Sequence, residues 1–266
     1  MADGADALLE LLDLRPLGDD AFEAIATDDG MHRLFGGQVA SQSLRAATLT
    51  VDPDRLVHSM HAYFIRPGRP GIPLHLAVDR TREGRSFTTR RVTASQSGEA
   101  IFILAASFHV SEEGDDWQMP GPSDVPGPDA VKAHARPMRR FASPFELRPV
   151  RDPGPEGFPA IHPFWVRSRA ALPDDPALHA CAMTFMSDMG VVPASKAPGA
   201  RLDTMAMGAS LDHALWFHRP ARADEWLLFS VESVTNFGSR GLARGSMHDG
   251  AGRLVLSLSQ ETLLRR

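Results

Sequence analysis

The sequence predicts an α+β fold made of two similar halves, each an antiparallel sheet with a helix packed on one face. Three observations predict it. Tyr63-Phe64-Ile65-Arg66-Pro67 returns 153 residues later as Trp216-Phe217-His218-Arg219-Pro220. Gly84 with Arg90 returns as Gly238 with Arg244, and Gly98-Glu99-Ala100-Ile101 as Gly252-Arg253-Leu254-Val255, both at 154. A period this long marks a duplicated domain rather than an array of short repeats. Each copy sets one helix-like segment ahead of consecutive strand-like runs, the pattern of an antiparallel sheet backed by a helix. Between Ser111 and Pro163 stand eleven prolines, too many for a continuous sheet, so this stretch connects the copies.

Each element has its own signal. Asp6 to Leu14 carries apolar residues at 8, 9, 11, 12 and 14, the pattern of a short helix lying on something larger. Gly36-Gly37 opens a helix over Gln38 to Leu49, rich in Ala and Leu and free of Gly and Pro. Strands follow at about 57–66, 73–82, 86–96 and 100–110, punctuated by Pro67-Gly68 and Gly98. Within the connection, Phe145 to Arg148 and Phe164 to Ala170 read as strand pieces. Pro173-Asp174-Asp175-Pro176 starts a second helix running to Met189, with acids in its first turn. Val191 to Thr204 reads as a loop because it holds Pro193, Pro198 and Gly199. The last strands fall at about 206–218, 226–236, 239–247 and 253–264. The expected division is an N-terminal repeat over 1–110, a linker over 111–160 and a C-terminal repeat over 161–266.

Composition narrows the function classes. The chain is 43% hydrophobic, enough for a substantial core. Its net charge of −5 and scattered basic residues give no face for a nucleic acid. The lone Cys181 excludes an internal disulfide and fits a reducing compartment. No apolar run is long enough to span a membrane, and the N-terminus lacks the basic start of a signal peptide. The ending Leu263-Leu264-Arg265-Arg266 carries no Ser-Lys-Leu peroxisomal address, so the expected location is the cytoplasm.

The chemistry is sought where the copies disagree. Leu254, Leu256, Leu258 and Gln260 share one strand face, and the first copy there has Ala100, Phe102, Leu104 and Ala106. A buried amide needs partners, since an unsatisfied polar group costs about 1–3 kcal/mol. At an offset of 153, Asp188 matches Phe35 and Ser210 matches Val57. Each replacement alone reads as a surface residue; three on adjoining elements point to one site, in the second half only. Ser210-Leu211-Asp212-His213 holds nucleophile, acid and base types, but neighbours on a strand face opposite ways, so Asp212 and His213 form no simple relay. His58 and His61 read as structural strand residues. Arg66/Arg219 and Arg90/Arg244 recur in both copies and read as structural, although these arginines and Arg91 could also meet phosphates. The pairs Tyr63/Trp216 and Phe64/Phe217 read most simply as core.

Phe35-Gly36-Gly37-Gln38-Val39-Ala40, His58 through Gly68, Gly84 through Val92, Ala105-Ala106-Ser107-Phe108, Ser187-Asp188, Leu211 through Pro220, and Glu225-Trp226-Leu227-Leu228 form a specific set of motifs. They carry a resemblance to the acyl-CoA thioesterase II family over almost the whole length of the chain. It implies a double hotdog, two tandem strand-wrapped helices joined edge to edge as a pseudo-dimer. It also implies a catalytic Asp, Thr and Gln around one water, which fall on Asp188, Ser210 and Gln260; serine stands where the family has threonine. The activity implied is hydrolysis of fatty acyl-CoA to free acid and coenzyme A, with no cofactor and no metal. The implied partners are the acyl-CoA substrate and further subunits of a homo-oligomer, with no nucleic acid or membrane. On this reading Asp188 is the general base, Ser210 and Gln260 hold the water, and the N–H groups of Gly36 and Gly37 are candidates for the carbonyl oxygen. Close helix packing is an equally good reason for both glycines. The rival functions are a hotdog enoyl-CoA hydratase or dehydratase and a noncatalytic acyl-CoA binder.

Overall fold

The computed structural model describes residues 6–28, 31–131, 140–151, 162–200 and 207–265, and among these thirteen strands join in one sheet. The first half comprises α1 (Ala7–Leu12), β1 (Arg15–Gly18), β2 (Ala21–Ala24), α2 (Gly36–Thr48), β3 (Arg55–Phe64), β4 (Leu74–Glu83), β5 (Phe87–Gln96) and β6 (Glu99–Val110). The second comprises β7 (Phe145–Pro149), β8 (Phe164–Ser168), α3 (Pro176–Ser187), α4 (Val191–Ala194), β9 (Met207–Ser210), β10 (Asp212–Phe217), β11 (Leu227–Phe237), β12 (Arg240–Asp249) and β13 (Leu254–Arg265). Strand order is β1-β2-β4-β5-β6-β3-β10-β13-β12-β11-β8-β7, with β9 also on β13.

The halves meet at β3 and β10, which pair antiparallel. In that ladder His61 faces Ala214, its own copy at the offset of 153, so the exchange axis of the two halves passes through this pair. The central helices α2 and α3 lie side by side and antiparallel. Arg45 near the end of α2 reaches Asp175 at the start of α3 at 3.7 Å, and Gly37 at the start of α2 meets Asp188 at the end of α3. Asp175 caps α3 by accepting from the Ala177 N–H at 2.9 Å, with Pro176 at the first helical position. Ala40, Leu44 and Ala47 of α2 and Ala182, Phe185 and Met186 of α3 are buried between the helices and the inward sheet face, where Phe102, Phe108, Phe164 and Phe229 complete the core.

One arginine pair makes the same contact in both halves, and the other does not. Arg66 Nη1 donates to the Ala100 carbonyl and Arg219 Nη1 to that of Leu254, the same contact made once in each half. Arg90 is buried on Glu83 and Thr50, Arg244 bonds Glu232 and Arg91 pairs with Asp79.

Several expectations need correction. A hairpin, β1 with β2, precedes α2; its strands are four residues each and solvent-facing on β1, too short to show a period, and Gly18-Asp19-Asp20 turns the chain with φ of 90°, 49° and 56°. Gly36 and Gly37 are the first residues of α2, not its lead-in. Val191–Ala194 is a short helix despite Pro193, which its first turn tolerates. The run expected at 206–218 is two strands broken at Leu211, its first residue, 206, lying outside the described set. Tyr63 and Trp216 are 58% and 37% exposed on the outer sheet face; only Phe64 and Phe217 turn toward the core.

The pairing of Asp188 with Phe35 is also overturned. Phe35 precedes α2 whereas Asp188 follows α3, so the helix-end counterpart of Asp188 is Leu49. The helices repeat at a shorter offset than the strands because the second half inserts the segment containing α4 between helix and strand. No helix of the described residues is long and apolar enough to cross a membrane.

Candidate active site

The site forms where the end of α3 meets the start of α2. Helix α3 stops at Ser187, and Gly190 then turns the chain with a φ of 74°, which leaves Asp188 on the rim facing its neighbour helix. Oδ2 of Asp188 accepts the Gly37 N–H at 2.9 Å, one of the first-turn donors that a helix cannot satisfy itself. Ser210, the last residue of β9, directs its hydroxyl at Asp188 Oδ1 over 3.4 Å. Gln260 of β13 donates from Nε2 to Ser210 Oγ at 2.8 Å. The three residues expected from sequence are thus brought together, with Gln260 fully buried and Asp188 7% exposed.

A break in strand register makes the arrangement possible. Ser210 faces Thr262, yet Ala214 faces Ser259, so the β9–β10 strand carries one residue more than β13 across this interval. Residues three apart on a regular strand face opposite ways; the extra residue of this bulge turns Ser210 and His213 to the same side. His213, which sequence reasoning passed over, is fully buried and sets Nδ1 at 2.5 Å from Gln260 Oε1 and Nε2 at 2.7 Å from Ser187 Oγ. A signal for it existed: at the offset of 153 His213 matches Met60, one more polar residue in place of an apolar one. Asp212 faces away and accepts the Glu261 N–H, so it joins no relay with His213.

Electrostatically the site holds a reluctant anion. Burial pushes the Asp188 carboxyl up to about 7, against the pull of the Gly37 N–H, the Gln260 amide, the Ser210 hydroxyl and the charge of Arg33. Burial pushes His213 down to about 4, so the imidazole is neutral. A carboxylate near neutrality beside a hydroxyl and an amide is suited to taking a proton from a water.

A cavity of about 480 Å³ opens onto Asp188 and Ser210. Phe64, Ile101, Phe102, Phe141, Val192 and Met207 line it, which suits an apolar chain. Both glycines of α2 have steric reasons. A Cβ on Gly37 would come within 2.5 Å of the Phe185 carbonyl, and one on Gly36 within 2.7 Å of Asp188 Oδ2. Gly37 thus lets the helices approach and gives its N–H to Asp188, while Gly36 keeps the carboxylate open to the cavity.

A larger cavity, about 800 Å³, lies at the opposite end of the helix pair, between the end of α2 and the start of α3. It is the other half's version of the site. Leu49 and Val57 stand on its wall where the first site has Asp188 and Ser210, and the copies of His213 and Gln260 are Met60 and Ala106. His58 is here too, bonded to Ser107 at 2.8 Å.

Comparison with known proteins covers the same two halves. A family model described as the acyl-CoA thioesterase N-terminal domain matches residues 27–109, and one for the acyl-CoA thioesterase C-terminal domain matches 104–264. Human acyl-coenzyme A thioesterase 8 is 34% identical, over 96% of this chain and 88% of that protein. Acyl-CoA thioesterase 2 of Haemophilus influenzae is 33% identical, over 100% of this chain and 99% of its own length. Among solved structures, an acyl-CoA thioesterase II of Mycobacterium marinum is 39% identical with a TM-score of 0.84, covering 97% of this chain and 98% of that one. A hot dog fold protein of Alicyclobacillus acidocaldarius, 19% identical over 98% of both chains, has the same architecture at a TM-score of 0.79.

Proposed function

This chain belongs to the acyl-CoA thioesterase family, and from that premise we propose that it cleaves fatty acyl-CoA with a water activated by Asp188 and held by Ser210 and Gln260. The activity itself, hydrolysis of acyl-CoA thioesters, follows from the family. The observation that carries the residue assignment is the contact set: a carboxylate raised to about 7, touched by one hydroxyl, which is in turn touched by one amide, at the mouth of an apolar cavity. Asp188 takes a proton from the water as the oxygen attacks the thioester carbonyl. The tetrahedral intermediate then collapses, the proton passes to the leaving sulfur, and free acid and coenzyme A depart. Gly36, at the first turn of α2 and on the cavity wall, is the candidate donor to the carbonyl oxygen. Gly37 is less suited, since its N–H goes to Asp188.

The division of labour is part of the proposal. Residues 161–266 carry the reacting side chains, 1–110 form the catalytically degenerate repeat, and 111–160 link the two, with β7 in that link closing the second half's sheet edge. One productive site per chain follows. Cytoplasmic location fits the single buried thiol of Cys181. Homo-oligomer formation is supported by the exposed Tyr63 and Trp216 at the centre of the outer sheet face.

The pH profile of thiol release tests the base. Activity requires ionised Asp188, so kcat/KM rises with pH through about 7 and levels off above it. A profile flat from pH 5 to 9 overturns the assignment. Hydration of an enoyl-CoA without thiol release would instead favour the hydratase. Serine in place of the family threonine supplies the same hydroxyl. Ser210→Thr is therefore expected to keep turnover within about threefold, whereas Ser210→Ala, which removes the bond to Asp188, lowers kcat by about 10- to 100-fold.

A further inference from the structure

We propose that His213, together with Ser187, is a positioning residue that fixes which end of the Gln260 amide faces Ser210. The inference rests on the catalytic reading above and extends it to two residues outside the reacting set. A glutamine amide has a donor end and an acceptor end of nearly the same shape, and its neighbours decide the orientation. Gln260 has Ser210 at one end and His213 at the other. In the arrangement seen, Nε2 donates to Ser210, which leaves the serine hydrogen free to point at Asp188 Oδ1. With the amide turned round, Oε1 would take the serine hydrogen, and Ser210 would offer the carboxylate only lone pairs.

What holds the first arrangement is a hydrogen at His213 Nδ1, since only an N–H there can donate to Gln260 Oε1. The neutral ring has a single N–H, so its other nitrogen, Nε2, must accept. Ser187 Oγ, 2.7 Å away, has one hydrogen and two acceptors within reach, His213 Nε2 and the Thr184 carbonyl at 2.8 Å; the amide orientation seen requires that this hydrogen go to His213. One directed chain results: Ser187 donates to His213, His213 to Gln260, Gln260 to Ser210 and Ser210 to Asp188. A second observation ties His213 to this chain rather than to general packing. In the first half the copies of Ser210, His213 and Gln260 are Val57, Met60 and Ala106, all apolar and all buried. The three contacting positions are polar together in one half and apolar together in the other.

The test uses the full chain with an acyl-CoA thiol-release assay. His213→Met, which installs the residue of the apolar copy, is expected to lower kcat by about 10- to 100-fold with KM changed less than about threefold. His213→Asn, which restores an N–H near the Nδ1 position, is expected to recover at least about tenfold of that loss. The decisive measurement is a double-mutant cycle: a residue acting through Gln260 has little left to lose once Gln260 is gone. His213→Met/Gln260→Ala is therefore expected to be no more than about twofold slower than Gln260→Ala. Losses that multiply, an asparagine variant as slow as the methionine one, or a methionine variant with wild-type kcat each overturn the inference. If the methionine variant does not fold, the asparagine variant enters the same cycle and must likewise lose nothing further in the Gln260→Ala background. The two readings fail separately: Gln260→Ala slow with His213→Met unaffected removes only this inference, whereas Gln260→Ala at wild-type rate removes the catalytic assignment as well.

Discussion

Asp188→Asn is expected to lower kcat for acyl-CoA hydrolysis by about 10³-fold while the protein becomes more stable at alkaline pH. The kinetic half follows from the role proposed for Asp188, since a general base typically contributes about 10²–10⁴-fold. Asparagine fits the same space: its oxygen can accept the Gly37 N–H, and its amide N–H can donate to the Ser210 oxygen in place of the bond that Asp188 accepted, so substrate binding and KM change little. The stability half follows from linkage. The folded protein holds the Asp188 proton up to about 7, whereas an unfolded chain releases it near 3.8. Between those values the native state binds more protons than the unfolded state, so stability falls as pH rises, and above 7 the full penalty is present. At about 1.4 kcal/mol per unit the penalty approaches about 4 kcal/mol. Thermal unfolding at pH 8.5 and at pH 4 measures it: the variant melts higher at pH 8.5, and the two proteins converge at pH 4. Near-normal turnover, or a variant that melts lower at pH 8.5, contradicts the placement of a strained buried carboxylate at 188.

Gly37→Ala is expected to damage the fold and the site together. Its Cβ would sit 2.5 Å from the Phe185 carbonyl and 2.5 Å from the Phe35 ring. The carbonyl belongs to the backbone of α3 and cannot swing aside, so α2 and α3 must move apart at the end where they hold Asp188. Overpacking of this kind costs about 1–3 kcal/mol, which for a chain of this size lowers Tm by about 2–10 °C. The Gly37 N–H moves with its helix, and turnover falls as its bond to Asp188 lengthens. Gly36→Ala is the informative contrast, because its Cβ would meet the Asp188 carboxylate and the Phe64 ring rather than backbone. It should cost activity at nearly unchanged Tm. Equal melting temperatures for Gly37→Ala and the parent protein would show that the helices are not in contact there.

The duplication, the helix-then-strands order of each half and the Pro-rich connection were legible because long periodic segments and proline punctuation act locally. Gln260 and Ser210 were legible for a different reason: strands of the two copies can be laid on one another, and a polar residue against an apolar one stands out. The same comparison fails for Asp188, since the insertion that holds α4 changes the offset between helix and strand, so an offset of 153 sets it against Phe35 instead of Leu49. His213 against Met60 is a contrast of the same kind, but three residues after Ser210 on a regular strand it would face the other way, and only the bulge at Leu211 brings the two to one side. Bulges, helix ends and the approach of α2 to α3 depend on residues far apart in the chain. The hairpin at Arg15–Ala24 escaped because its strands are too short to show a period.

The contact between Gly37 and Asp188 means that the buried carboxylate of one copy is seated by the backbone of the other. Two such seats, one at each end of the helix pair, are what a symmetric pair of separate chains would own, and there every inherited change strikes both ends at once. Joining the copies in one chain lifts that bond. A substitution is then felt at one end alone, so Val57, Met60 and Ala106 could become oily without harming their polar twins. The apolar copy is still no passenger: lineage can strip these positions of their polar side chains, but cannot take away the glycine on which its sibling's acid rests.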